Sequence, residues 1–355
     1  MSILNWYLLR QNILFILIIL FSGMGIYLIV DFVTRMDSVV GSGVPVSVAL
    51  KYFALKIPLI VSQIMPAIFM LAVLVQVALM HRSNEMLALE SNGISFFRPA
   101  LFFIIYALAG FVFLSIFSET LGIYGYQQTK LIWDGDIRHR QIEDRGLEKL
   151  WFSEKNDVVY IQKAWPDRGT GEDITVYRMG SGNRILEIIR AAKFKESEDG
   201  WVLSRAMVVS TEDFSQKEYR ELEMSMATRL KSFSAIASSL PYDSLSMFNL
   251  GRLINELKSK GSNVEKLATA WHSKLAYSFA LVVMTVLGLA LACIIRNIYA
   301  LVTLGLVIVF LYYTVYVFGV TYAEEGLIPP FWGAWLANII FAVLGGGQLI
   351  WSSRS

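Results

Sequence analysis

The sequence predicts a polytopic α-helical membrane protein of six transmembrane helices, with an inserted all-β, jelly-roll-like domain. Three observations carry this. Six uncharged apolar windows occur, at Ile13–Val30, Ile57–Met80, Ala100–Phe117, Leu275–Ile295, Ile298–Tyr322 and Leu327–Trp351. Each has about 18 residues or more, enough to cross ~30 Å of hydrocarbon. Only 17% of the 355 residues are charged and 55% are apolar, with mean hydropathy +0.52; a soluble chain carries about 25% charge. Between the third and fourth windows the composition turns polar and β-rich over residues 121–268.

The first window has a lone charged lead, Arg10, and no A-x-A site before Asp31. It therefore reads as a retained helix rather than a cleaved signal. Arg35 and Lys51 are expected in the loop to the second span, with Lys56 at its start. Pro58 and Pro66 remove backbone donors inside that span and predict kinks.

The stretch "HRSNEMLALESNGISFFR", residues 81–98, separates spans two and three and is too polar for lipid. It predicts a short helix over 84–92. Asn84 or Ser83 is the expected cap, Glu85 stands in the positive first turn, and Gly93 is the left-handed stop. Met86, Leu87 and Leu89 are its apolar knobs. A helix this short does not fold alone, so it docks either on its own bundle and the lipid surface or on a separate cytoplasmic partner.

Lys130 and "WDGDIRHR" follow span three. Asp134-Gly-Asp136 has the D-x-D form of a metal–sugar-nucleotide site, but three residues are a weak signal, and a solvated loop is the expected structure. In the insertion, "DVVYIQKAW", "DITVYRM" and "WVLSRAMVVS" read as strands, separated by the Gly- and Asn/Asp-bearing turns "MGSGNR" and "ESEDGW". Leu250, Leu253, Ile254 and Leu257 then recur at helical spacing, and Gly261 ends the run. The resulting division is 1–120 for helices one to three, 121–268 for the β domain with its helical connector, and 269–355 for helices four to six. Gly345, Gly346 and Gly347 in the last span suit close helix packing.

Arg10, Arg82, Arg98, Arg296 and Arg354 flank one set of loops, whereas "YAEEGLIPP" between spans five and six has two acids and no base. Arg35 and Lys51 in the loop between spans one and two weakly oppose this, but by the positive-inside rule the sum favours both termini in the cytoplasm and the β domain outside. A net charge of +2 gives no footprint for nucleic acid. His81, His139 and His272 are scattered, the single Cys293 forms no internal disulfide, and no G-x-x-x-x-G-K-[ST] occurs. No metal or cofactor is expected in this chain.

The run R-S-x-E-x-x-A-L-E-S-x-G-I-S, from Arg82 to Ser95, resembles the coupling-helix segment of the LptF/LptG lipopolysaccharide export permeases. The resemblance covers essentially the whole chain. It includes the P-x(7)-P pair of span two, the β insertion, "GRLINELKSKGSNVEKLATAWHSKLAYSFALVVM" and "EGLIPPFWGAWLAN"; the last two segments look closer to LptG than to LptF. The resemblance implies a permease of an ABC-type exporter in a Gram-negative inner membrane. Its partners would be an LptF-like permease, an LptB-like ATPase dimer that binds ATP and Mg, an LptC-like single-span protein and a periplasmic LptA-like bridge. It assigns ATPase coupling to Arg82, Glu85 and Leu89, and lateral gating to spans one and five.

A lipid-phosphate exporter needs cations beside an apolar cavity. Arg35, Lys51, Lys56 and Lys130 are the candidates, each with the alternative of snorkelling to headgroups. Where LptG relatives often have a lysine facing the substrate phosphate, this sequence has Asp31, and Arg35 one turn on is expected to take over. The competing readings are a permease for another lipid and a membrane-bound sugar-transfer enzyme.

Overall fold

A computed structural model describes residues 3–137, 147–166, 168–180, 184–197, 200–230, 244–259 and 261–352. Contacts divide the chain into a helical unit, Met1–His139 with Ala268–Ser355, and a second unit, Arg140–Leu267.

Among the described residues the helical unit has six helices long and apolar enough to cross a membrane. The first, α1 (Ile3–Gly41), is 39 residues long, about 58 Å at 1.5 Å per residue. It overshoots the bilayer core, so Arg10, Asp31 and Arg35 all lie within it. Only the short turn 42–45 separates it from α2 (Val46–Arg82). Arg35 and Lys51 are therefore helical, not in the expected loop. Pro58 and Pro66 are both inside α2, and the Ser62 hydroxyl donates to the Pro58 carbonyl at 2.9 Å.

After α3 (Glu85–Ser91), the third span runs as one continuous helical segment from Phe97 to Ile137, with an apolar window long enough to cross a membrane. It comprises α4 (Phe97–Phe117), a π-wound turn at Ser118–Gly122, α5 (Ile123–Leu131) and a second π-wound turn at Ile132–Ile137. The helix thus continues past residue 120, where the division of the chain was expected. The solvated loop expected at "WDGDIRHR" is instead helical through Ile137, and Asp134 is buried. Gly125 explains the close approach of this rod to α2, since a Cβ there would lie 2.6 Å from the Leu55 carbonyl.

The last three spans are α7 (Glu265–Ile294), α8 (Ile298–Glu324) and α9 (Pro330–Ser352). α7 is central, with 67% of its most apolar window buried, against 6% for α1 and 17% for α8. Met70, Val73, Leu74 and Val77 of α2 pack with Val283, Met284 and Leu287 of α7 in the core. The outer faces of α1 and α8 remain open and apolar, with Phe21, Ile26, Phe310 and Phe318 exposed.

Among its described residues the second unit holds one antiparallel sheet of six strands in sequential order. They are β1 (Leu147–Glu154), β2 (Asp157–Trp165), β3 (Thr170–Met179), β4 (Ile185–Ser197), β5 (Gly200–Ser210) and β6 (Gln216–Met224). The jelly-roll-like expectation thus takes the form of a meander, each strand paired with its neighbour in sequence. The three strands read from sequence correspond to β2, β3 and β5. Val159, Ile161, Ile174, Val176, Phe194, Trp201 and Leu203 form the buried face. Phe194 stacks on Trp201 at 4.7 Å. The predicted connector helix is α6 (Met247–Ser259), and Gly261 beyond it is left-handed at φ +64°.

Candidate functional site

Two of the polar constellations in the helical unit contain the residues expected to have a function. At the first, Asp31 Oδ1 accepts from Arg35 Nε at 2.8 Å and from Lys56 Nζ at 2.7 Å. Asp31 and Arg35 are i,i+4 on α1, and Lys56 reaches across from α2. The Arg35 guanidinium lies 4.3 Å from the Trp133 ring centroid and the Lys56 ammonium 5.6 Å from that of Tyr52. Tyr27 stands 5.8 Å from the same ammonium, and Tyr52 packs 5.5 Å from Trp133. The side chains of Lys56 and Asp31 retain 8% and 11% of their exposure, whereas Arg35 keeps 32%. One carboxylate and two cations leave a net charge of +1, and Arg35 is the cation presented outward.

The expected substrate residues Asp31, Arg35 and Lys56 therefore converge, but Asp31 is their counter-ion rather than an isolated departure. Lys130 lies in α5, just before the turn that carries Trp133, half-buried and with an interaction of its own. Lys51 is exposed on α2, five residues before Lys56. Sequence reading missed Tyr27, Tyr52 and Trp133. Tyr27–Asp31–Arg35 and Tyr52–Lys56 each fall at i,i+4 spacing, which puts each set on one helix face but does not show that the two faces meet.

The second constellation surrounds α3. Asn84 adopts a left-handed conformation and makes no side-chain cap, so the expected N-cap is absent. Instead Glu85 Oε1 accepts from the Ser83 hydroxyl at 2.9 Å, and Glu85 Oε2 from the Tyr7 hydroxyl at 2.8 Å. The Tyr7 hydroxyl also meets the Gln11 side chain. Gln76 Nε2 in turn donates to Gln11 Oε1 at 3.5 Å and to the Leu8 carbonyl at 3.1 Å. A polar track thus runs from α3 into the seam between α1 and α2. Gly93 is left-handed at φ +76° and closes the helix as predicted, with Ile94 N donating to the Leu89 carbonyl at 2.9 Å.

The three expected knobs separate. Met86 is buried at 1% exposure, Leu89 packs against the same core, and Leu87 is 63% exposed. Leu89 is therefore an inward anchor, and Leu87 the outward apolar contact. Arg82 is exposed beside it. A groove of about 460 Å³ lies next to α3, lined by Glu90, Gly93, Phe96, Phe97 and Leu349.

Lys56 and Arg82 are 26 residues apart on α2, about 39 Å along the helix; Tyr7 and Asp31 are 24 apart on α1, about 36 Å. Both spacings exceed the ~30 Å hydrocarbon core. The ionic box and α3 therefore sit at opposite ends of the same two spans. Among the described residues no three His, Cys, Asp or Glu side chains form a metal cluster. His81 and His272 lie on different helices, and His139 lies outside the described residues.

Comparison with known proteins identifies a family. The family model described as lipopolysaccharide export system permease LptF/LptG matches residues 6–354. The chain is also similar to the lipopolysaccharide export system permease protein LptG of Haemophilus influenzae. The two are 23% identical over 338 residues, covering 92% of each.

Proposed function

The chain belongs to the LptF/LptG family of lipopolysaccharide export permeases, and on that premise we propose that it is the LptG-type subunit of an ABC-type extractor. It is a multi-pass inner-membrane transporter subunit, not an enzyme. In this reading both termini and α3 face the cytoplasm and the β unit faces the periplasm. An LptB-like ATPase dimer receives α3, an LptF-like permease completes the cavity, and an LptC-like protein and an LptA-like bridge take the cargo onward.

The observation that carries the proposal is the placement of an ionic box and a docking helix at opposite ends of α1 and α2. Lipopolysaccharide combines acyl chains with sugar phosphates. Charge-assisted bonds from arginine and lysine suit the phosphates, and the open apolar faces of α1 and α8 suit the chains. These two faces are those on which the family resemblance places the lateral gate. Leu87 and Arg82 are the outward groups by which α3 engages the ATPase, while Met86 and Leu89 fix it to the bundle.

The test is affinity purification of the tagged chain from a Gram-negative host, with mass spectrometry of bound chains and lipids. An ATPase, a second permease of the family and lipopolysaccharide are expected together. Recovery without an ATPase, or with phospholipid alone, would overturn the proposal.

A further inference from the structure

Asp31 makes the box more than a cationic patch. Its Oδ1 holds both Arg35 and Lys56, and its Oδ2 is buried with no hydrogen-bond partner. An incoming anion must therefore compete with a carboxylate already in place. The competition is uneven between the two cations. Lys56, at 8% exposure, is enclosed, whereas Arg35 at 32% is the group an anion reaches. If Arg35 turns outward, Asp31 and Lys56 remain as a neutral pair and no buried charge is left without a partner. The box thus offers one surplus cation, and the cost of withdrawing it is the bond to Asp31.

We propose that Asp31 is a specificity-determining residue, a built-in counter-ion that rejects singly charged phosphodiester lipids and yields Arg35 only to a phosphomonoester headgroup. The inference rests on the reading of the chain as a lipopolysaccharide permease. A phosphodiester carries one negative charge, no more than the carboxylate it must displace, and Asp31 is held one helical turn from Arg35. A phosphomonoester carries about −1.5 to −2 at pH 7 and has more acceptor oxygens than a carboxylate. At roughly 4 Å and an effective dielectric near 20, that additional charge is worth more than a tenfold preference. Bulk anionic phospholipid outnumbers the cargo in such a membrane, so a bare cation pair would be occupied by it. Trp133 and Tyr52 flank the released position and retain a face for the guanidinium.

The experiment uses the assembled complex in nanodiscs of phosphatidylethanolamine and phosphatidylglycerol, with bis-phosphorylated lipid A as the probe. A photo-crosslinking residue replaces Phe32, which is 46% exposed next to Asp31, and the readout is the ratio of lipid A to phosphatidylglycerol captured. In the native box that ratio should far exceed the ratio supplied. Asp31→Asn should lower it about tenfold through a gain in phosphatidylglycerol, and Asp31→Glu should restore it. The pair Asp31→Asn with Lys56→Gln keeps the box at net +1 without the counter-ion. It should behave like Asp31→Asn, and it carries the test if the single variant fails to fold. An unchanged ratio in Asp31→Asn, or a native ratio in the double variant, overturns the inference. Capture of no lipid A by the native box overturns the functional reading instead.

Discussion

Tyr7→Phe removes a single hydroxyl from the contact between α1 and the docking helix. That hydroxyl donates to Glu85 Oε2 at 2.8 Å, while Ser83 continues to hold Oε1. Met86 stays buried and Leu89 stays packed, so α3 remains attached and its outward face, with Leu87, is intact. Tyr7 is 40% exposed, so the contribution of the bond lies in the ordinary range of ~0.5–1.5 kcal/mol rather than at the top of the charged range. At 1.4 kcal/mol per factor of ten, the equilibrium constant for latching α3 to α1 falls about 2- to 12-fold. Motion of the ATPase would then reach α2 directly through the 83–84 turn, but reach α1 less often. The assay is reconstituted lipopolysaccharide release measured beside ATP hydrolysis. Hydrolysis should stay within about twofold of native, while lipid released per ATP drops by up to that 2- to 12-fold factor. If Tyr7→Phe releases as much per ATP as native while Glu85→Ala does not, Glu85 acts on the ATPase alone and the latch has no part in coupling.

The two leucines of α3 should separate binding from folding. Leu87→Asp is expected to weaken ATPase co-purification with the thermal stability of the permease unchanged, whereas Leu89→Asp is expected to lower that stability, as read by thermal-shift measurement in detergent. Asp31→Lys would place three cations where one carboxylate now joins two. Breaking a buried pair costs about 3–5 kcal/mol, so lower yield and melting temperature are expected, and native behaviour would contradict the ionic box. In the β unit, burial raises the Glu154 carboxyl, but bonds from the Thr228 hydroxyl and the Ala227 and Thr228 amides outweigh it and hold it below the usual glutamate value. Because the folded value is lowered, the stabilisation is present above the unfolded value of about 4.3. It is lost as pH falls through the folded value. Hydrogen exchange at residues 227–228, corrected for intrinsic rates, should show protection lost only on acidification below that range, and Glu154→Gln should remove the dependence. Gly319→Leu should separate α8 from α9, since even a Cβ there would lie 2.5 Å from the Gly333 carbonyl. Overpacking of ~1–3 kcal/mol predicts a lower melting temperature.

The six spans were legible because uncharged apolar runs of that length seldom arise outside a membrane, but their ends were not. Arg10, Asp31 and Arg35 broke the uncharged window, although a helix continues through charge wherever its surroundings supply partners, and here Lys56 and Trp133 do so. The same blindness hid the ionic box. Tyr27, Tyr52 and Trp133 count as apolar in a hydropathy window, and no one-dimensional pattern shows that they wall a single carboxylate. Strand β6, "QKEYRELEM", was missed because most of its residues are exposed; with little buried, no alternation of apolar residues marks it. For α3 the composition gave the helix and its glycine stop, but which leucine points inward depended on Leu8 and the α2 core, which only the packing supplies.

The route between the two constellations is set by backbone chemistry inside α2. Pro66 has no N–H, so the Ser62 carbonyl loses its helical donor, as the Ala54 carbonyl does at Pro58. One residue beyond Ser62 the neighbouring spans bond to the backbone of α2. The Tyr277 hydroxyl of α7 and the Tyr313 hydroxyl of α8 both donate to the Gln63 carbonyl, the second at 3.4 Å. Tyr312 of α8 bonds Asn338 Oδ1 of α9 at 2.7 Å, and Asn338 Nδ2 bonds the Ala276 carbonyl of α7 at 2.7 Å. In a low-dielectric interior, groups paired in this way resist separation. The turn around Gln63 is therefore clamped to α7 and α8, while α2 continues towards Lys56 on one side and towards α3 on the other. Bending of α2 costs least in the two turns that a proline leaves one bond short, and the clamp lies beside the second of them. α1 has no comparable clamp among the described residues, and it is bound to α2 by Asp31–Lys56 at one end and by Gln76 at the other. α1 and α2 thus join the Glu85 contact at one end to the Asp31 ion pairs at the other, with Ile16 and Ile68 packed between them.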